Sequence, residues 1–137
     1  MCTSANKQTR KIITKTAFVY LLVSIVCAAF GAIYELFSHE VYSYFMLYAF
    51  LFPLIGGTLP FFVLACSRVR LPDAIACGLY HAGIAALTVG SLFTGVLEIY
   101  GTTNRLTAVY WIVGAILIVC GVGKYLYSHT DSGKAVS

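Results

Sequence analysis

Four long stretches of this sequence contain no aspartate, glutamate, lysine or arginine, and they constrain the fold more than any other feature. They are Thr16–Tyr34, Val41–Ser67, Ala74–Leu97 and Leu106–Gly123. A bilayer with a hydrocarbon core of about 30 Å is crossed by about 20 helical residues, because an α-helix rises about 1.5 Å per residue. Each stretch reaches or nearly reaches that length, so the sequence predicts four membrane spans.

The composition agrees with a membrane protein and favours helices over strands. The chain is 60% hydrophobic and 10% charged, whereas soluble domains average about 45–50% apolar and about 25% charged residues. Membrane-spanning strands would show short alternating segments, and these runs are continuous. We therefore predict an all-α polytopic membrane protein in which a basic tail (1–15) and a C-terminal tail (129–137) flank one four-helix domain (16–128), with spans at about 16–36, 42–67, 74–99 and 106–127.

The basic residues predict the orientation. Eight of the nine lysines and arginines lie before the first uncharged stretch, between the second and third, or after the fourth; only Arg105 lies on the other side. Because short cytoplasmic segments carry an excess of Lys and Arg, both termini are predicted in the cytoplasm and the chain is predicted to be multi-pass in the plasma membrane. This bias accounts for the net charge of +4 with anionic lipid head groups as counter-charge, so the bilayer is the expected partner and nucleic acid is not.

Two segments resemble each other and indicate an internal repeat. FGAIYELF (Phe30–Phe37) and FTGVLEIY (Phe93–Tyr100) share Phe at the first position and Glu at the sixth. They predict two tandem helical hairpins in parallel orientation, related by a pseudo-twofold axis along the membrane normal. The alternative is that two helices ending on the same side share small, aromatic and acidic residues without a common ancestor.

Small residues recur along the third span at steps of four. They are Gly78, Ala82, Ala86, Gly90 and Thr94. Membrane helices associate through close backbone approach, which small residues allow. The third span is therefore predicted to be the most buried helix, and a large residue at Gly90 is expected to disrupt the bundle.

The second span contains the sequence LFPLIGGTLPFF, which predicts a break. Pro53 and Pro60 lack an amide proton, and Gly56 and Gly57 add backbone freedom between them. Transporters often bind substrate where a membrane helix is broken. The alternative is a kink that only lets a neighbouring helix approach.

Two glutamates lie at the predicted outer edge of the membrane. Glu35 ends the first span and Glu98 ends the third. If both face one vestibule, they are expected to share a proton or a cation, since two close carboxylates raise one another's proton affinity. The alternative is anchoring at the interface or pairing with Arg105.

Two histidines are further candidate ligands. His39 follows Glu35 by four residues, so the two share a helix face if the helix continues that far, and together they suit a divalent cation. His81 lies about 10 Å into the third span, where a proton relay, a haem ligand or a simple hydrogen bond to a neighbouring helix are the open interpretations. Its neighbour Tyr80, like Tyr20, is interpreted as part of the inner aromatic belt.

No catalytic or cofactor-binding motif occurs, and the five cysteines contain no C-x-x-C pair. We therefore expect no enzyme and no resident cofactor. Binding of a divalent cation, or of a haem between two chains, stays open. The predicted function is binding or transport of a small solute or ion. The alternative is a non-catalytic accessory subunit of a larger membrane complex, and a homodimer is also open.

Overall fold

The structure is a computed structural model that describes residues 2–38, 43–67 and 71–136. These residues form helices joined by short connections, and none of them forms a strand. The elements are α1 (Cys2–Phe37), α2 (Tyr44–Leu47), a π-helix (Phe52–Thr58), α3 (Leu59–Cys66), α4 (Ala74–Ile99) and α5 (Thr107–Val136).

Four helical segments are long and apolar enough to cross a membrane: Lys7–Phe37, Tyr44–Cys66, Ala74–Ile99 and Thr107–Ala135. The all-α fold with four membrane-length helices is thus confirmed. α1 and α5 extend well beyond the predicted spans, because the tails continue as helix. No glycine or proline occurs between Cys2 and Phe30, and lysine, arginine and glutamine are good helix formers.

The second span is assembled from three helical pieces. α2 is followed by a turn, then by the π-helix with Pro53 in its first turn, then by α3 with Pro60 in its first turn. The segment where the sequence predicts a break is therefore a π-helix. Pro60 has no amide proton for the carbonyl of Gly56, and this carbonyl instead accepts a hydrogen bond of 2.6 Å from the hydroxyl of Tyr80 on α4.

The second span and α4 occupy the centre of the bundle. The backbone of α1 lies against α2, the π-helix and α3, whereas the backbone of α5 lies against α4. α4 also contacts α2 and the π-helix. In the most apolar part of α4, 33% of the residues are buried, compared with 11% in the most apolar part of the last span. This agrees with the prediction, from its small residues, that the third span is the most buried helix.

Close helix contact in α4 follows the predicted steps of four only in part. A Cβ at Gly90, a predicted position, would lie 2.6 Å from Cβ of Tyr110, and one at Gly83, which was not predicted, would lie 2.9 Å from the carbonyl oxygen of Gly114. No atom of another described element lies within 4 Å of a Cβ at Gly78, which was predicted. Residues four positions apart are offset by about 40° around the axis of an α-helix, so a series of such residues gradually leaves the face that contacts a neighbouring helix. The buried glycines of α4 facing α5 are instead seven residues apart.

Candidate functional site

Four aromatic side chains meet in the interior, and we call them the central cluster: Tyr20 of α1, Phe61 of α3, and Tyr80 and His81 of α4. The His81 ring is stacked on Phe61 with centroids 5.0 Å apart and on Tyr20 with centroids 5.4 Å apart. The ring of Tyr80 meets Phe61 edge-on at 6.0 Å. Three of the four spans therefore contribute a ring to one site.

Hydrogen bonds connect the polar atoms of the central cluster. The hydroxyl of Tyr20 and Nδ1 of His81 are 2.5 Å apart, and the tautomer of the imidazole decides which of them donates. Tyr80 donates to the carbonyl of Gly56 in the π-helix. The buried Ser24 donates to the backbone carbonyl of Tyr20 within α1 at 2.8 Å. The bonds of Tyr20 and Tyr80 together join α1, the π-helix and α4 through polar groups.

The two glycines of the π-helix make room for the central cluster. A Cβ at Gly57 would overlap the ring of Tyr20, and a Cβ at Gly56 would overlap the side chain of Ile84. The sequence indicated these glycines as sites of backbone freedom. In the structure they also allow α1 and α4 to approach the second span closely.

The central cluster lies within helical segments that are long and apolar enough to cross a membrane. His81 is the eighth residue of α4, about 10 Å from the start of that helix. An ionisable group at such depth is costly unless it has partners, and it commonly marks an ion or substrate pathway. An imidazole and two phenols are able to pass a proton or to hydrogen-bond a solute, and the ring faces are able to hold a cation.

One predicted glutamate forms a specific contact at the other end of the bundle. Oε2 of Glu98 accepts a hydrogen bond of 2.6 Å from the hydroxyl of Ser43, which is buried and precedes α2. About two turns earlier in α4, the buried Ser91 donates to the carbonyl of Phe45 at 2.6 Å. Glu98 therefore holds the end of α4 to the start of the second span, and Arg105 is exposed in the next connection.

The second predicted glutamate is half-buried. Oε1 of Glu35 is buried and has no hydrogen-bond partner among the residues that the structure describes. His39, the predicted metal partner of Glu35, lies outside the described residues. Across residues 2–38, 43–67 and 71–136, no group of three His, Cys, Asp or Glu side chains is arranged to hold a metal ion.

The ends of α1 and α4 share a cleft of about 350 Å³ on the side of these glutamates, lined by Tyr34, Phe37, Ser38, Ile99 and Tyr100. The lining does not include Glu35 or Glu98. The structure thus brings the two helix ends together, while the shared carboxylate vestibule stays a prediction.

Several residues of the site were not identified as site residues from the sequence. Tyr20 and Tyr80 were interpreted as interfacial aromatics, and Phe61 and Ser43 were not singled out. The position of Tyr80 next to His81 was the one local signal. The pairing of Tyr20 with His81 joins residues 61 positions apart, and no spacing rule within one helix reports such a contact.

The removal of one hydroxyl tests how far the Tyr80 bond supports the broken helix. We expect Tyr80→Phe to lower the free energy of unfolding by about 1–3 kcal/mol, since the carbonyl of Gly56 would lose its partner. The measurement is the thermal melting temperature in detergent, and Tyr127→Phe is the control because Tyr127 is exposed. Equal melting temperatures for the two variants would contradict this account of the π-helix.

No protein-family model, curated protein or solved structure matches this chain.

Proposed function

We propose that this protein is a binding or transport component for a small polar solute or ion, with the central cluster as its binding site. The observation that carries the proposal is the meeting of His81 and two tyrosine hydroxyls with a π-helix inside membrane-length helices. Broken helices in membranes persist where protein or a cavity satisfies the freed carbonyls, and π-bulges are frequent at functional sites.

The hydrogen bonds of the cluster also support a role in coupling binding to helix movement. Tyr20 links α1 to α4, and Tyr80 links α4 to the π-helix. A solute that competes for either hydroxyl would loosen a contact between two spans. Binding would then change the relative stability of two arrangements of the bundle, which is the physical requirement for a transport step.

A ligand screen by thermal shift tests the proposal. We expect a solute or cation that raises the melting temperature of the wild-type protein, and we expect the shift to be lost in Tyr20→Phe and His81→Gln. Tyr127→Phe, on an exposed ring, is the control that retains the shift. Glu35→Gln and Glu98→Gln test the outer carboxylates in the same assay. A shift that survives unchanged in Tyr20→Phe and His81→Gln would exclude the central cluster as the site.

The proposal includes a plasma-membrane protein with both termini in the cytoplasm, built from two hairpins. The first hairpin is α1 with the second span, and the second is α4 with α5. Support comes from the distribution of lysine and arginine along the sequence. The likeness of the Phe30–Phe37 and Phe93–Tyr100 segments supports the repeat, and the pseudo-twofold relation stays a prediction.

Cysteine labelling in cells tests the orientation. Cys66 is exposed at the end of α3, and Thr103 is exposed in the connection between α4 and α5. In a variant whose other cysteines are replaced by serine, we expect Cys66 to resist an impermeant maleimide in intact cells and to react in inverted vesicles. A cysteine-free chain carrying Thr103→Cys is the control with the opposite expectation. Labelling of Cys66 in intact cells would overturn the orientation.

A second candidate function, an accessory subunit of a membrane complex, is favoured by one observation. Gly78, Ala82 and Ala85 are exposed on one face of α4, and nothing lies within 4 Å of a Cβ at Gly78. Small residues on a helix face allow close helix association in lipid. Gly78→Leu distinguishes the two functions, since it should release a partner or a second copy while leaving the ligand shift intact.

A further inference from the structure

A second cavity lies next to the central cluster, between α3, α4 and α5. Its volume is about 230 Å³, and its lining includes Phe61 and Leu64 of α3, Cys77 and Tyr80 of α4, and Val122 and Tyr125 of α5. The hydroxyl of Tyr80 is engaged by the carbonyl of Gly56. The side chains that face the cavity are therefore almost entirely apolar, and they suit a hydrocarbon ligand.

The size of the cavity indicates a ligand larger than a single small ring. An apolar cavity of about 150 Å³ accommodates benzene, so the larger volume here suits several methylene groups of an acyl chain. The cavity is formed by three membrane-length helices, and acyl chains are the surrounding solvent of such helices. A lipid chain thus requires no path through water to reach the site.

Two basic residues are connected to lining residues of the cavity and indicate the head group. Nη1 of Arg10 donates to the carbonyl of Ala65, the residue after Leu64, at 3.2 Å. Lys124 is exposed and directly precedes Tyr125 on α5. One basic residue therefore contacts the neighbour of a lining residue of α3, and the other is the sequence neighbour of a lining residue of α5. Lysine and arginine near a membrane surface attract anionic lipid head groups.

We propose that this cavity is a binding site for an anionic phospholipid, with an acyl chain between α3, α4 and α5 and the phosphate near Arg10 and Lys124. The site goes beyond the proposed solute function and does not depend on it. It shares Phe61 and Tyr80 with the central cluster, so the lipid chain would contact Phe61, whose ring is stacked on His81.

The thiol of Cys77 provides a direct reporter, because it lines the cavity. In purified protein with the other cysteines replaced by serine, we expect phosphatidylglycerol to slow alkylation of Cys77 by N-ethylmaleimide. The alkylation rate should fall about tenfold when the lipid concentration is about ten times its dissociation constant, since the fraction of unbound protein is 1/(1 + [L]/Kd). A protein with Cys120 as its single cysteine is the matched control, because Cys120 is exposed on α5 outside the lining and its rate should not change.

Three further arms separate the lipid from other occupants. Phosphatidylcholine with identical chains should protect Cys77 much less, and Lys124→Gln should weaken protection by phosphatidylglycerol. Val122→Trp, which places a large ring at the partly open wall, should abolish protection. Equal protection by phosphatidylcholine or by decane alone would overturn the anionic-lipid assignment, and so would protection that persists in Val122→Trp. Native mass spectrometry of the wild-type protein gives an independent reading: absence of a retained phosphatidylglycerol adduct would also overturn it.

Discussion

Gly121→Ala is expected to destabilise the protein by about 1–3 kcal/mol, the usual cost of overpacking a close contact. A Cβ at Gly121 would lie 2.9 Å from the backbone nitrogen of Tyr80 and 3.0 Å from the carbonyl oxygen of Ala76. Both atoms belong to the backbone of α4, so no side-chain rotation relieves the contact. α5 must move away from α4, and the packing along the whole helix pair weakens.

The matched control lies two residues further along the same helix. Among the described residues, no atom of another element lies within 4 Å of a Cβ at Gly123, and alanine is favoured over glycine inside a helix by about 1 kcal/mol. Gly123→Ala should therefore leave the melting temperature unchanged or raise it, while Gly121→Ala lowers it by several degrees. Effects of the same sign and size at both positions would contradict the observed α4–α5 contact.

Glu98→Ala is expected to cost a similar amount, about 1–3 kcal/mol, at the opposite end of α4. The substitution leaves the hydroxyl of Ser43 without its acceptor, and Ser43 is only 1% exposed. A buried polar group that loses its partner bears its full desolvation cost, and bonds to a charged acceptor are the stronger kind. The second span should separate from α4 at this end.

A double-mutant cycle distinguishes this contact from a general effect of removing a charge. Ser43→Ala and Glu98→Ala should each lower the free energy of unfolding in detergent. Together they should lower it by clearly less than the sum, because both remove the same hydrogen bond. Glu40→Ala, outside the described residues, provides a comparison for the loss of a negative charge three positions before Ser43 in the sequence. Strict additivity would show that Ser43 and Glu98 act independently.

The number and type of helices followed from the sequence because they depend on local composition alone. A span is recognised by the absence of charged residues over about 20 positions, and the four windows correspond to the four membrane-length helical segments of the described residues. The ends of α1 and α5 were harder to predict from the sequence. Charged residues mark where a helix leaves the hydrocarbon, but they do not stop it, and α1 begins at Cys2 rather than Thr16.

The break in the second span could also be predicted from the sequence, since proline and glycine act on their own backbone. Pro53, Gly56, Gly57 and Pro60 mark the π-helix within a residue or two. The sequence did not predict which neighbouring residue bonds to the freed carbonyl of Gly56. That neighbour, Tyr80, is 24 residues from Gly56, and the rotation of α4 that aims Tyr80 at this carbonyl is set by packing between helices.

For the two glutamates, the sequence predicted the position along the helices and did not predict the contacts. Their position near helix ends followed from counting residues, and the structure places Glu98 against Ser43 and leaves one oxygen of Glu35 without a partner among the described residues. The likeness of their surroundings suggested one shared function. The contacts differ, because α1 and α4 occupy different places: α4 is central and α1 is peripheral.

Nuclear magnetic resonance of the imidazole nitrogens is the most direct test of the central claim, that a solute binds at the central cluster. The chain has three histidines, so a sample labelled with ¹⁵N in histidine gives few signals, which His39→Gln and His129→Gln assign. We predict that the ligand found in the thermal-shift screen moves the His81 ring resonances and leaves those of His129 unchanged. A ligand that stabilises the protein while the His81 resonances stay in place would contradict the claim.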